Sequence, residues 1–196
     1  MKFNREENYT LEDERVLLRP LEGDDFTHLK DFSINEPDLW TYSLTPAAGE
    51  ENLKAYIDHA LQQKEKGNSY PFIVWDKQIG AYAGSTRFYD IQPQHYSMQM
   101  GYTWYGRDFQ GTGLNKHCKF LLLSFAFETL EAERVEFRAD ARNDRSIAAM
   151  KSIGCTPEGI LRSNCVSPDG RRDSIVLSIL KNEWFTSVKR NLKSKL

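Results

Sequence analysis

The stretch that most restricts the fold runs from Tyr70 to Leu130. It opens with three runs rich in β-branched and aromatic residues, "YPFIVWD", "QIGAYAGSTRFYD" and "HYSMQMGYTWY". The first two are joined through Asp76 and Lys77, as in a hairpin. In the third, Met98, Met100 and Tyr102 alternate against Gln99, Gly101 and Thr103, and Gly101 predicts a bulge or a close backbone approach. "GRDFQGTGLNKHCKFLLLSFAFE" follows, in which Gly111 and Gly113 precede a helix expected over 112–130. Its Leu114, Cys118, Leu121, Leu122, Phe125 and Ala126 form one apolar stripe.

The flanks supply the rest. A strand over Arg15 to Arg19 stops at Pro20; Phe26, Leu29 and Phe32 mark a helix that Asp24 can cap. After the irregular "SINEPDLWTYSLTP", Leu53, Tyr56, Ile57, Ala60 and Leu61 mark a second helix that ends at Gly67. "RVEFRAD" reads as a strand, 143–153 as a helix stopped by Gly154, and "EGILRSNCV" with "RRDSIVLSIL" as a hairpin across Ser167 to Gly170. The order β α α β β β α β α β β gives an α+β (mixed α/β) fold with a mainly antiparallel sheet. One domain, 1–196, is expected, with its core over 14–185 and peripheral or frayed ends at 1–13 and 189–196.

A net charge of −2 and a pI near 6.1 give no global attraction to nucleic acid, so no direct nucleic-acid binding is expected. No run approaches the roughly 18 apolar residues of a membrane span, and the polar N-terminus lacks the apolar stretch of a secretory signal, so a cytoplasmic protein without a membrane partner is expected. Cys118, Cys155 and Cys165 form no C-x-x-C pair and suit reduced thiols. The histidines at 28, 59, 95 and 117 have no metal-ligand spacing, and no metal is expected.

The glycine pair fits neither familiar phosphate motif. A P-loop needs Gly-Lys-Ser/Thr, whereas Gly113 is followed by Leu114 and Asn115; a dinucleotide fingerprint needs a third glycine where Lys116 stands. What remains is Gln110-Gly111-Thr112-Gly113-Leu114-Asn115 between strand and helix. Its amides together with the helix N-terminus suit a pyrophosphate without metal, and a plain turn into an amphipathic helix has the same letters.

Over about residues 14–185 the chain resembles the GCN5-related N-acetyltransferases, in the branch of the ribosomal-protein alanine acetyltransferases. The resemblance is carried by "ERVLLRPLEGDD", "MGYTWYGRDFQGTGLNKHCKFLLLSFAFE", "RVEFRADARNDRSIAAMKSIGC" and "EGILRSNCVSPDGRRDSIVLSILKNEW". Gln110 to Gly113 match the family's Gln/Arg-x-x-Gly-x-Gly/Ala loop. The resemblance implies a twisted sheet of about seven strands with a splayed pair, about four helices, and acetyl-CoA as co-substrate. It implies that Tyr102, Thr103 and Trp104 pair with the pantetheine arm like an added strand, and that Gly111 to Asn115 hold the pyrophosphate. Asn143 would bond the cofactor arm, and Ser146 could reprotonate the departing thiolate.

Three positions depart from the pattern. Asn115 replaces Gly or Ala, Met150 stands where many relatives carry a tyrosine acid, and Gln99 stands where the branch often has a glutamate base. An amide takes no proton at neutral pH, which leaves His95 and Asp90, in the loop before Gln99, as replacement bases. Trp40 and Tyr42 are candidates for the acceptor pocket by resemblance; Arg171 and Arg172 could meet an acidic ligand. An α-amine, with a pKa of about 7.7 to 8.0, is partly neutral at pH 7, so a weakly equipped site suits it better than a lysine amine. The expected activity is acetyl transfer to an amine acceptor, a protein or peptide N-terminus first. A non-catalytic acyl-CoA-binding protein and a small-molecule (aminoglycoside or polyamine) acetyltransferase are the alternatives, and the chain could be a monomer or a homodimer.

Overall fold

The chain's strands are β1 (Leu11–Glu12), β2 (Val16–Pro20), β3 (Ser69–Asp76), β4 (Ala81–Gln92), β5 (Ser97–Tyr105), β6 (Arg134–Asp140), β7 (Thr156–Ser167) and β8 (Gly170–Leu180). Its main helices are α1 (Phe26–Asn35), α2 (Glu50–Glu65), α3 (Leu114–Ser124) and α4 (Asp144–Ser152). In the computed structural model, which describes residues 1–196, the strands form one sheet in the order β1-β2-β3-β4-β5-β6-β8-β7. Every neighbouring pair is antiparallel except β5 with β6.

Two helical layers cover the sheet because its central strands are apolar on both faces. On one face, Leu114, Cys118 and Leu122 of α3 meet Phe72, Val74, Met98 and Met100 in the larger core. On the other, Leu29 of α1 and Leu53, Tyr56, Ile57 and Ala60 of α2 meet Ile73 and Trp104. The alternation Phe72, Ile73, Val74 feeds the two cores in turn, as strand geometry dictates.

The structure departs from the sequence expectations at the margins. The sheet has eight strands rather than about seven, because Leu11–Glu12 pairs with Leu17 and Leu18. A further C-terminal helix is built from Lys181–Glu183, a π-helical turn Trp184–Val188 and Lys189–Lys193. The basic tail is therefore docked: its Leu192 and Trp184 are fully buried. The N-terminus is docked too, with the Lys2 amide bonded to the Leu130 carbonyl at 2.8 Å and the Tyr9 ring 4.7 Å from Phe125. α3 begins at Leu114 and changes to a π-helical turn at Phe125–Thr129. No helix is long and apolar enough to cross a membrane.

Candidate active site

β5 pairs with β6 only over Ser97–Gln99, opposite Arg134–Glu136. Beyond that point β5 stays with β4 and β6 stays with β8, so the two parallel strands part. The opening leaves the β6-facing edge of Met100 to Tyr105 without a strand partner.

Within the opening, β5 is bulged. Ser85 pairs with Trp104 and Arg87 with Gly101, so Thr86 alone faces both Tyr102 and Thr103. Tyr102 takes a left-handed φ of 50°. This shifts the face of every later residue, and the alternation read from the sequence needs correcting here: Tyr102 does not share a face with Met98 and Met100. It packs on the α2 side, edge-on to Tyr89 at 5.0 Å, while Thr103 turns to the α3 side. Gly101 is where two groups meet closely; a Cβ there would lie 2.9 Å from the Tyr89 ring.

The loop at the wide end of the opening has the features of an anion cradle. Gly111 and Gly113 adopt φ of 75° and 93°, and the space beside both is open. The amides of Gly111, Thr112, Gly113 and Asn115 find no backbone carbonyl, and Leu114 N–H has only a 3.4 Å contact with Thr112 Oγ1. Exposed amides at a helix start carry partial positive charge. Gln110 holds the loop in place: its Nε2 donates to the Tyr105 carbonyl at 2.8 Å, and its Oε1 accepts from Arg145 at 2.6 Å. Arg15, bidentate to Asp76, touches Thr112 Oγ1 at 3.4 Å, and Tyr105 Oη donates to Asn115 Oδ1 at 3.3 Å.

Across the opening, Asn143 caps α4, its Oδ1 accepting from Ser146 N–H at 3.0 Å. That leaves the Asn143 amide N–H groups and the Ser146 hydroxyl without protein partners. Met150, one turn further on, is buried in the core.

On the α2 face, Gln99 Nε2 donates to Asp90 Oδ2 at 2.7 Å, and Asp90 Oδ1 accepts from Gln92 at 2.9 Å. Asp90 is itself in a left-handed conformation, φ 46°. His95 lies in an exposed turn, Pro93–His95, and makes no side-chain bond. Of the two replacement bases, it is Asp90 that the fold joins to Gln99. Asp90 also lines a cavity of about 400 Å³ with His59, Gln63, Arg87, Tyr89 and Tyr102.

A family model for the "Acetyltransferase (GNAT) domain" matches residues 15–156. The chain belongs to the GNAT acetyltransferases.

It is 26% identical to the Bacillus subtilis protein named "Putative ribosomal N-acetyltransferase YdaF", over 87% of this chain and 94% of that one. The crystal structure of a "putative acetyltransferase" from T. thermophilus is 33% identical, with a TM-score of 0.85 over 95% of this chain and 96% of that one. The ribosomal-protein-S5-alanine acetyltransferase from Vibrio fischeri shares the fold at 18% identity, with a TM-score of 0.73 over 90% of this chain and 99% of that one. The chain is thus an N-acetyltransferase of a family that uses acetyl-CoA as co-substrate. The free amides and the open space above Gly111 and Gly113 fit a pyrophosphate of that co-substrate.

The remaining candidates of this GNAT acetyltransferase fall outside the opening or behind it. Trp40 is buried against Trp104, ring centroids 5.1 Å apart, and neither indole N–H has a partner. Tyr42 is 39% exposed and lies 6.0 Å from the Arg142 guanidinium; its carbonyl accepts from Arg172. Neither Trp40 nor Tyr42 lines the Asp90 cavity. Arg172 is buried, bonding Ser174 and Tyr42, so it ties β8 to the irregular segment instead of standing in solvent; Arg171 is exposed. Burial pushes the Cys118 and Cys155 thiols up to about 12, which leaves both protonated and inert at neutral pH. His117 is buried and bonds Asp13 at 2.7 Å, with Glu14 close by; Asp13 already accepts from the Arg15 and Val16 amides.

Two charged residues escaped the sequence reading. Lys119 is buried behind the bulge, where Nζ donates to Thr103 Oγ1 at 2.7 Å and Thr86 Oγ1 at 3.3 Å. Burial lowers its pKa to about 8, and its hydrogen-bond partners are hydroxyls, with no carboxylate among them. Arg87 is buried on the other face, between the Tyr56 and Tyr102 rings. Each sits within an apolar pattern, on α3 and β4 respectively, and an isolated Lys or Arg there reads as a residue turned to solvent.

Proposed function

We propose that this enzyme transfers the acetyl group of acetyl-CoA to an α-amine, the group found at a peptide or protein N-terminus, by direct attack on the thioester. The observation that carries the reading is the juxtaposition around β5 of a strand edge without a partner, a loop of free amides at its end and, on its α2 face, a carboxylate bonded to Gln99.

The pyrophosphate lies on the amides of Gly111 to Asn115, and the pantetheine arm runs along the free edge of Tyr102, Thr103 and Trp104 as an added strand would. Asn143 offers its amide N–H groups to that arm. The thioester is then presented at the bulge, where backbone N–H groups can receive the negative charge that develops on the carbonyl oxygen. The acceptor enters from the α2 face. Its nitrogen lone pair forms the C–N bond, the C–S bond breaks, and the electron pair leaves on the CoA sulfur.

Two protons must move. Asp90, held by Gln99, accepts the one shed by the amine; Ser146 gives one to the thiolate and regains it from solvent. Gln99 is a positioning residue in this scheme, because an amide cannot titrate but can fix the carboxylate beside it. The name carried by the Bacillus subtilis relative, "Putative ribosomal N-acetyltransferase YdaF", supports an amine of a ribosomal protein as the acceptor.

The test is release of CoA thiol from acetyl-CoA in the presence of a panel of N-terminal peptides, lysine side-chain analogues and small amines. Turnover favouring α-amines is expected. Turnover confined to lysine side chains would overturn the α-amine assignment, and none with any amine would overturn the transfer itself.

A further inference from the structure

The guanidinium of Arg87 is the most anomalous charge in the molecule. It is 1% exposed, yet it makes no salt bridge and no hydrogen bond; Nε and Nη2 are sealed without partners. Its only compensation is the pair of rings on either side, with its carbon 4.6 Å from the Tyr56 centroid and 4.0 Å from that of Tyr102. Two such contacts offset only part of the cost of burying a charge and leaving its donors empty. A guanidinium is a fork built for a planar oxyanion. Arg87 is among the residues that line a cavity of about 400 Å³, and of its three nitrogens only Nη1 is not sealed.

The same cavity holds Asp90, of the opposite sign. The two do not neutralise each other: Asp90 bonds Gln92 and Gln99, and Arg87 bonds nothing. Their places on the sheet follow from the register. Tyr89 pairs with Gln99 and Arg87 with Gly101, so Arg87 and Gln99 are diagonal neighbours, roughly 7 to 8 Å apart. The cavity is therefore lined by a carboxylate, held by Gln99, and by a cation without a partner, on the ladder position diagonal to that glutamine.

We infer that the acceptor carries a carboxylate close to its amine, and that Arg87 recognises it while Asp90 faces the amine. The substrate class is an α-amine with a neighbouring acid. This rests on the acetyl-transfer reading above and narrows its acceptor. The acid can come from the α-carboxylate of a free amino acid or from the side chain of an N-terminal Asp or Glu in a peptide. Both offer the same oxyanion to the same fork.

The experiment follows thiol release by the unaltered chain at saturating acetyl-CoA. The acceptors are free amino acids, the corresponding amino-acid amides, and peptides beginning with Asp or Glu against those beginning with Asn or Gln. An acid form should exceed its amide by at least about 100-fold in kcat/KM. Preference among free amino acids assigns the α-carboxylate as the source, preference among the peptides the side chain, and either supports the inference. Arg87→Met should raise KM for the acid by a similar factor while leaving that for acetyl-CoA unchanged, and Arg87→Lys should recover part of the loss. Acids and amides used equally by the unaltered enzyme would overturn the inference and leave acetyl transfer standing, with no need for a variant that folds. No thiol release with any acceptor, while calorimetry still detects acetyl-CoA binding, would overturn transfer and this inference together.

Discussion

Lys119 carries its ammonium into the core on hydroxyl partners alone, and its pKa makes that burial measurable as a dependence of stability on pH. The folded value of about 8 lies below the ordinary 10.5, so between these values the unfolded chain holds the proton that the folded chain has lost. Stability from this group therefore rises with pH across that window, by up to about 1.4 kcal/mol per unit. Cys118 and Cys155, raised by burial, act in the opposite sense above pH 9 and are common to wild type and variant. The stability of Lys119→Met minus that of wild type, from urea unfolding, should thus fall between pH 8 and 10 by roughly 2 kcal/mol. A flat difference would mean that the ammonium is solvated. Asp90 gives a kinetic counterpart: Asp90→Asn should lower kcat about 100-fold or more with acetyl-CoA affinity unchanged, and an unaltered kcat would remove it from the proton path. At this scale the loop glycines were legible in the sequence and the buried charges were not. Gly111 and Gly113 announce a turn because the positive φ they adopt has few other occupants. Lys119 and Arg87 are defined by partners on other elements, the threonines at 86 and 103 and the tyrosines at 56 and 102, and nothing in their local sequence places them there.

Among elements, strand and helix types were largely legible, since apolar periodicity of 2 or 3.6 fixes them locally. "RVEFRAD" and the turn between Ser167 and Gly170 stand where the sequence puts them. The bulge in β5 was legible only as a hint at Gly101, because Tyr102 continues the apolar alternation while its backbone reverses it. The docked ends were missed for a related reason: Leu192 and Tyr9 are single apolar residues in polar segments, without a period to reveal them. The loop before α3 gives a prediction on this scale. Gly111→Val with Gly113→Val forces two branched residues into left-handed backbone, a strain of roughly 1 to 3 kcal/mol each, and puts side chains into the space above the amides. Acetyl-CoA affinity by calorimetry should fall at least about 30-fold while the far-ultraviolet circular dichroism keeps its shape. Unchanged affinity would show that the loop only turns the chain.

For the whole molecule, the order of elements implied a mixed sheet, but the chemistry depends on where two parallel strands separate. β5 and β6 are joined by three residue pairs, so the halves of the sheet carrying β1 to β5 and β6 to β8 have few hydrogen bonds between them. A ligand lying along the free edge of β5 and reaching both the α3 loop and Asn143 spans that weak seam. It binds the folded state alone, since the amides it uses come together only on folding, and its free energy adds to stability. At 100 times its dissociation constant, acetyl-CoA should add about 2.7 kcal/mol. For a chain of this length that raises the melting temperature by roughly 5 to 10 °C in a thermal scan. The paired glycine variant should lose most of this shift, whereas Arg87→Met, on the opposite face of the bulge, should keep it. Equal loss in both would mean that the acceptor cavity and the acetyl-CoA cleft are not separate sites, and the division of labour across β5 would fail with it.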